Sequence, residues 1–75
     1  MFDFPPPQVV EVAKQNQITH VKYDKIFTAV NPYFYKVYIG KIKSTNKQEC
    51  IMFDNVNAHK CTEDEHSTIF LNLNH

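Results

Sequence analysis

Histidine and cysteine, two residue types that bind zinc, lie close together near the end of this chain. His59, Cys61 and His66 fall within eight residues, and Asp64 and His75 are near them. Their spacing matches no paired-ligand knuckle, and no second cysteine pair completes a set of four ligands. We therefore expect a polar connection here, with no metal and no cofactor.

The same residue types could form a cysteine nucleophile with a histidine base. A reactive thiolate needs an electropositive setting, whereas Cys61 is followed closely by three acids. Cys50 falls in a predicted strand, where packing is its expected role. The chain has neither a glycine-rich phosphate loop nor a histidine pair at helical spacing. We predict that the protein is not an enzyme.

Three consecutive acids, Glu63, Asp64 and Glu65, form one candidate surface for a partner. Such a cluster is either a solvated loop or a set of charges that imitates phosphates and blocks a basic site on another protein. Together with Thr62, the acids also have the spacing of a capping box, which would start one helical turn.

The run from Tyr33 to Ile42 predicts the central strand of a small sheet, because it is rich in aromatic and β-branched residues. Successive side chains of a strand point to opposite faces. We expect the core face to carry Tyr33, Tyr35, Val37 and Ile39, and the outer face to carry Phe34, Lys36 and Tyr38.

Gly40, the one glycine of the chain, stands where this alternation fails. A bulge at Gly40 and Lys41 would return Ile42 to the core. It would also place four side chains on one outer face: Lys36, Tyr38, Lys41 and Lys43. This stripe is either a solvated face or a nucleic-acid site, in which lysines contact phosphates and Tyr38 stacks on bases.

A final strand is predicted from Ser67 to Leu73, where apolar and other residues alternate. At the edge of a sheet, its unpaired backbone groups could pair with a second copy of the chain or with a target strand. Phe70 would add apolar contact there. A homodimer through this C-terminal edge strand is therefore one prediction.

The remaining elements complete a single domain over residues 1–75. Residues 1–7 are a proline-rich extended arm with Phe2 and Phe4 as anchors. The other predicted elements are a helix over 7–16, strands over 18–23 and 26–30 separated by a turn at Asp24 and Lys25, a break at Asn31 and Pro32, a loop over 44–48 and a return strand over 49–55. The fold class is α+β, with a short N-terminal helix packed on an antiparallel sheet of about four or five strands.

The composition is that of a small folded protein, with 43 % hydrophobic residues. Charge is unevenly distributed. Residues 1–48 hold seven lysines against three acids, a net of +4, and residues 49–75 hold one lysine against five acids, a net of −4. This separation favours either self-complementary assembly or two faces for different partners. Arginine is absent, which lowers the expectation of sequence-specific base reading.

The compartment is predicted from the chain's start and its apolar runs. Residues 1–7 have neither the basic region nor the apolar run of a secretory signal, and no apolar stretch has membrane-spanning length. A cytoplasmic protein is expected, in the host cell if the source is viral. Cys50 and Cys61 would then be free thiols, with a single disulfide as the alternative in an oxidising compartment.

The segment from Tyr35 to Asn57 loosely resembles the middle of a Tudor or other SH3-like barrel. The resemblance covers about a third of the chain, in the strand Tyr-Lys-Val-Tyr-Ile-Gly-Lys-Ile, a polar turn and the return strand Glu-Cys-Ile-Met-Phe-Asp. Where that family typically has a tyrosine and a glycine after its aspartate, this chain has Asn55 and Val56. The resemblance implies a small barrel that binds through a strand face.

Two functions are therefore predicted. The first is a small non-enzymatic protein-binding module that blocks a partner's surface. Its composition, free of arginine and rich in asparagine and lysine, is similar to that of small proteins from AT-rich phages and other viruses, many of which inhibit host factors. The alternative is a nucleic-acid-binding small barrel that uses the lysine and tyrosine stripe.

Overall fold

A computed structural model describes residues 4–28 and 34–73. The elements in chain order are α1 (Pro7–Gln15), β1 (Ile18–Thr28), β2 (Phe34–Ile42), β3 (Gln48–Phe53), β4 (Ala58–Lys60) and α2 (Glu63–Leu73). The strands form one antiparallel sheet in the order β1-β2-β3-β4. The predicted α+β class, with an N-terminal helix on an antiparallel sheet, is confirmed. The calls on Phe2, Asn31, Pro32, Tyr33 and His75 lie outside the described residues.

Helix α1 begins at a proline and ends before a left-handed residue. Pro7 occupies the first turn, where a missing N–H costs nothing. At the other end, the Asn16 side chain donates to the carbonyl of Val12 at 2.9 Å, and Gln17 has a φ of 56°. Val9 and Ala13, one helical turn apart, are buried against the sheet. The predicted helix over 7–16 is thus present.

Strand β1 is continuous, so the predicted turn at Asp24 and Lys25 is wrong. The pairing of β1 with β2 shifts between Tyr23 and Lys25, which leaves Asp24 as an extra residue in the longer strand. A bulge absorbs one such residue without ending a ladder. Two short predicted strands are therefore one long edge strand, and residues 29 and 30 of the second lie outside the described residues.

The bulge predicted at Gly40 lies in the neighbouring strand instead. Residues 36–41 of β2 pair with β3 without a shift. Opposite Gly40, β1 carries the extra residue, because Thr19 pairs with Lys41 while Lys22 pairs with Ile39. The backbone there includes His20 at a φ of 57°. Gly40 is thus required by the close approach of β1, and β2 keeps strict alternation.

Each face of the sheet is partly covered by a helix. On the α1 face, the helix covers Tyr38, Ile51 and Phe53. On the opposite α2 face, Ile69 of the second helix packs with Val37 and other buried residues, which are Cys50, Met52 and Cys61. Tyr35 and Ile39 pack against that second cluster, as predicted for the core face. The outer face was expected to meet solvent, and α1 covers part of it.

The C-terminal segment is a helix, which overturns the predicted strand from Ser67 to Leu73. Its side chains that face the sheet also have helical spacing, because Ile69 and Phe70 follow His66 by three and four residues. The predicted capping box starts this helix, which continues beyond the one predicted turn to Leu73. The C-terminal edge strand on which the homodimer prediction depended is therefore absent. In the described part of the chain, no helix has the length and apolar character needed to cross a membrane.

A carboxylate orders the connection between β3 and β4. The N–H groups of Asn57 and Val56 donate to Asp54 Oδ1 at 2.7 and 2.9 Å. These hydrogen bonds stabilise the charged form and hold the pKa of Asp54 below its ordinary value. They allow β4, a three-residue strand that was not predicted, to turn back onto β3.

Replacing Gly40 with alanine should destabilise the fold by about 2 kcal/mol, as overpacking typically does. The added carbon would lie 2.6 Å from both Ile18 Cγ2 and Thr19 O, so β1 would have to move away. Urea unfolding monitored by circular dichroism measures the loss. Ser44→Ala, in the exposed turn, is the control and should change stability by less than about 0.5 kcal/mol. Equal stability of the two variants would show that β1 does not approach Gly40 closely.

Asp54→Asn should weaken the fold in a pH-dependent way. The folded pKa of Asp54 is depressed, so its charge stabilises the fold above the unfolded pKa of about 4, and this contribution disappears as pH falls through the folded pKa. Asparagine keeps the acceptor oxygen and removes the titration. The stability difference between wild type and variant, measured by urea unfolding from pH 2 to pH 6, should therefore shrink at the acidic end. A constant difference would rule out the charge effect.

Candidate functional site

The histidines and cysteines near the C terminus have structural partners. Cys50 and Cys61 form a disulfide bond, so the prediction of free thiols is wrong. His59 Nε2 lies 3.1 Å from Glu65 Oε1, and His66 Nε2 lies 3.2 Å from the carbonyl of Gln48. Among the described residues, no three histidine, cysteine or acidic side chains are grouped to hold a metal ion.

The acidic cluster is split between a structural role and solvent. Glu65 accepts from the N–H of Thr62 at 2.8 Å, and its own N–H donates to Thr62 Oγ1 at 3.2 Å. Because Glu65 also contacts His59, its carboxylate holds the start of α2 against β4. Glu63 and Asp64 are exposed. Two carboxylates, not three, are therefore available for a partner at this position.

The predicted basic stripe does not share one face. Lys36 and Lys41 are five residues apart in a strand without a bulge, so they point to opposite sides of the sheet. Tyr38 is 7 % exposed and packs beneath α1, with its ring 5.6 Å from that of Tyr23. It cannot offer a stacking platform in this position. Lys43 lies beyond the end of β2, exposed, with its N–H donating to Gln17 O.

Phe70 is also placed differently from its predicted role. It lies on α2, half-buried against the core cluster of the α2 face. The ring of His66 is 4.3 Å from its ring. Phe70 therefore helps hold the helix on the sheet and does not lie on an edge strand.

One part of the α1 face is left open beyond helix α1. Here Ile26 of β1 pairs with Lys36 of β2, and Thr28 pairs with Phe34. Strand β3 pairs with β2 as far as Lys36 and Phe53, so β1 and β2 continue beyond it as a two-stranded ribbon. Three large side chains are partly exposed on this face of the β1–β2 pair, Tyr23 at 45 %, Ile26 at 55 % and Phe34 at 40 %. We call Tyr23, Ile26 and Phe34 the ribbon patch. Its position next to the unpaired edge of β1 makes it the first candidate surface.

The second candidate surface is an open cleft on the α2 face. It has a volume of about 410 Å³ and is lined by His20, Lys22, Ile39, Gly40, Lys41, Asn46 and Gln48. We call it the basic cleft, because its lining includes two lysines and a histidine and none of these residues is acidic. Lys22 and Lys41 reach the same face because Thr19 pairs with Lys41 and Lys22 pairs with Ile39. Of the predicted site residues, only Lys41 lines this cleft.

Sequence reasoning missed both surfaces because it divided β1 into two strands. Read as one strand with two extra residues, β1 brings Tyr23 and Ile26 to one face and Lys22 to the other. The close approach at Gly40 was the available signal, since a lone glycine in a strand also marks contact with a neighbouring backbone. The register itself could not be read from β1 alone.

The chain matches no protein-family model, no curated protein and no solved structure. The resemblance to a Tudor or SH3-like barrel is limited to the β2–β3 hairpin, since the described strands form an open sheet covered by two helices. Functional inference therefore depends on the ribbon patch and the basic cleft themselves.

Reduction of the disulfide should lower stability by about 3 kcal/mol, which is the chain-entropy estimate for a loop of this size. Cys50 and Cys61 are 11 residues apart and join β3 to the residues before α2. Urea unfolding of wild type with and without dithiothreitol measures the change, and the Cys50→Ala, Cys61→Ala double variant should be insensitive to the reductant. If unreduced, unfolded wild type shows two titratable thiols, the bond is not formed in solution.

Proposed function

We propose that this chain is a small non-enzymatic protein-binding module that uses the ribbon patch. The observation that supports the proposal is the exposure of Tyr23, Ile26 and Phe34 on one face of the β1–β2 pair. Single exposed apolar residues are common on any protein. Three that share a face, rimmed by polar residues, are typical of an interaction surface.

The ribbon is suited to recognition because its backbone and side chains can both take part. In the described part of the chain, β1 is an edge strand that pairs with β2 alone. An extended segment of a partner could therefore add to the sheet beside β1, while its side chains contact Tyr23 and Ile26. Aromatic residues at such sites bury much area with little loss of side-chain entropy.

Lysines indicate the charge of the partner. Lys36 lies within the exposed face, and Lys22 and Lys25 lie along β1 on the other side. Two copies of β1 pairing with each other would bring these like charges together, which opposes self-association. A partner segment that carries acidic residues beside apolar ones would gain from the same lysines.

The mode of action is part of the proposal. A module of this size acts by covering its partner's surface, so inhibition of that partner is the expected consequence, as for a viral inhibitor of a host factor.

A cytoplasmic location was predicted, and the disulfide bond argues against it. Disulfides persist in oxidising compartments and are rare in the cytosol.

Affinity capture with immobilised protein tests the ribbon patch. The wild type should retain a partner from extracts of the source cell, and the Ile26→Thr, Phe34→Thr variant should lose it. Removing two central apolar contacts should cost at least about 2 kcal/mol of binding free energy, roughly a thirtyfold increase in Kd. With the captured partner in hand, Kd is measured by isothermal titration calorimetry.

The matched control removes two exposed apolar side chains elsewhere, in the variant Val56→Thr, Leu71→Gln. These positions are 67 % and 58 % exposed and lie outside the ribbon. The control should bind the partner with unchanged Kd. The proposal is wrong if the ribbon variant binds like wild type while folding normally. It is also wrong if sedimentation shows that the patch is covered by a second copy of the chain.

A further inference from the structure

The basic cleft lies on the other side of the sheet from the ribbon patch. It lies near the N-terminal end of β1, where the bulge opposite Gly40 changes the direction of the side chains. Thr19 pairs with Lys41, and Val21 packs in the cluster beneath α1. The extra residue between them, His20, lines the cleft on the α2 face. The bulge thus adds an imidazole to a face that already carries two lysines.

The cationic groups of the cleft have no ionic partner in the described part of the chain. The ion pairs found there join His59 to Glu65, Lys60 to Glu49 and His66 to Glu49. None includes Lys22 or Lys41. With no acid among the lining residues, the positive charge of the cleft is not neutralised from within.

The His20 ring is linked to β2 through the hydroxyl of Thr19. Thr19 Oγ1 lies 3.0 Å from His20 Nδ1 and donates to the carbonyl of Lys41 at 3.3 Å. This contact uses Nδ1, and Nε2 is the ring nitrogen that remains for other contacts. The left-handed backbone of His20, at a φ of 57°, is costly for a residue with a Cβ, and such conformations concentrate at functional sites.

We infer that the basic cleft is a binding site for a phosphate group. Phosphate carries more than one negative charge and several acceptor oxygens, which suit two ammonium groups and the amide donors of Asn46 and Gln48. The volume of about 410 Å³ is within the range of small-ligand sites. The lining holds one apolar side chain, Ile39, and no phenylalanine or tyrosine, and its one aromatic ring is the imidazole of His20. Recognition is therefore assigned to the phosphate, through the two lysines.

Two sources could supply this group, a free phosphorylated small molecule or the backbone of a nucleic acid. Three probes distinguish them: inorganic phosphate, ATP and a fluorescein-labelled single-stranded oligonucleotide. Phosphate and ATP are titrated into ¹⁵N-labelled protein, and amide shifts are followed at His20, Lys22 and Lys41. Oligonucleotide binding is measured by fluorescence anisotropy at several salt concentrations.

The variant Lys22→Gln, Lys41→Gln should raise Kd at least tenfold for every probe that binds wild type. For the oligonucleotide, it should also reduce the slope of log K against log salt by about 1.4, since each single-strand phosphate contact contributes about 0.7. Both lysines are exposed, so the variant should fold. Lys22→Arg, Lys41→Arg retains both charges and should retain binding.

The matched control, Lys14→Gln, Lys36→Gln, removes the same charge from α1 and the α1 face, and should bind like wild type. Shifts at the cleft with phosphate or ATP support a small-molecule source, and binding of the oligonucleotide alone supports a nucleic acid. The inference is overturned if no probe binds, if both glutamine variants lose affinity equally, or if the control alone loses it. That last result would place the phosphate contact on the α1 face instead. Because these assays contain no protein partner, the result is independent of the proposed function.

Discussion

The close approach of β1 to Gly40 is the contact on which the arrangement of this molecule depends. A side chain at that position would meet Ile18, Thr19 and Val21 at once, so only glycine lets β1 lie against β2 there. The extra residue that β1 carries opposite Gly40 then directs Val21 into the core beneath α1 and His20 into the cleft. One glycine without unusual backbone angles thereby determines which side chains of the edge strand are buried and which are presented.

Burial on two faces explains why the middle of the sheet has no site. Ile51 and Tyr38 pack under α1, while Met52 and Val37 pack under α2, so the β2–β3 hairpin has little surface left for recognition. A 75-residue chain buries a modest part of its surface and needs both helices and the disulfide to complete its core. The ribbon patch and the basic cleft accordingly lie on β1 and on its pairing with β2.

The sequence predicted the fold where period and residue type agreed, and failed where two structures share one pattern. Residues 49–53 and 34–39 alternate as strands do, and α1 has proline at its start. From residue 67 onward the spacing fits both a strand and a helix, and only packing of Ile69 on the α2 face decides between them. Tyr38 was assigned to the solvent side because a strand's period does not show which face a helix covers. Lys41, by contrast, was a correct candidate for an exposed cationic position.

The two proposed surfaces and the disulfide occupy different parts of the sheet, and this separation affects how the protein would respond to its surroundings. The bond joins β3 to the residue that precedes the α2 capping box, so reduction should loosen α2 and the cluster around Ile69 first. Ile18 and Val21 anchor β1 to the other cluster, beneath α1, which contains no cysteine. A reduced protein that keeps this second cluster would still present the ribbon patch, whereas the basic cleft faces the side from which α2 would loosen. Binding at the cleft should therefore depend more on the redox state of the chain than binding at the ribbon does.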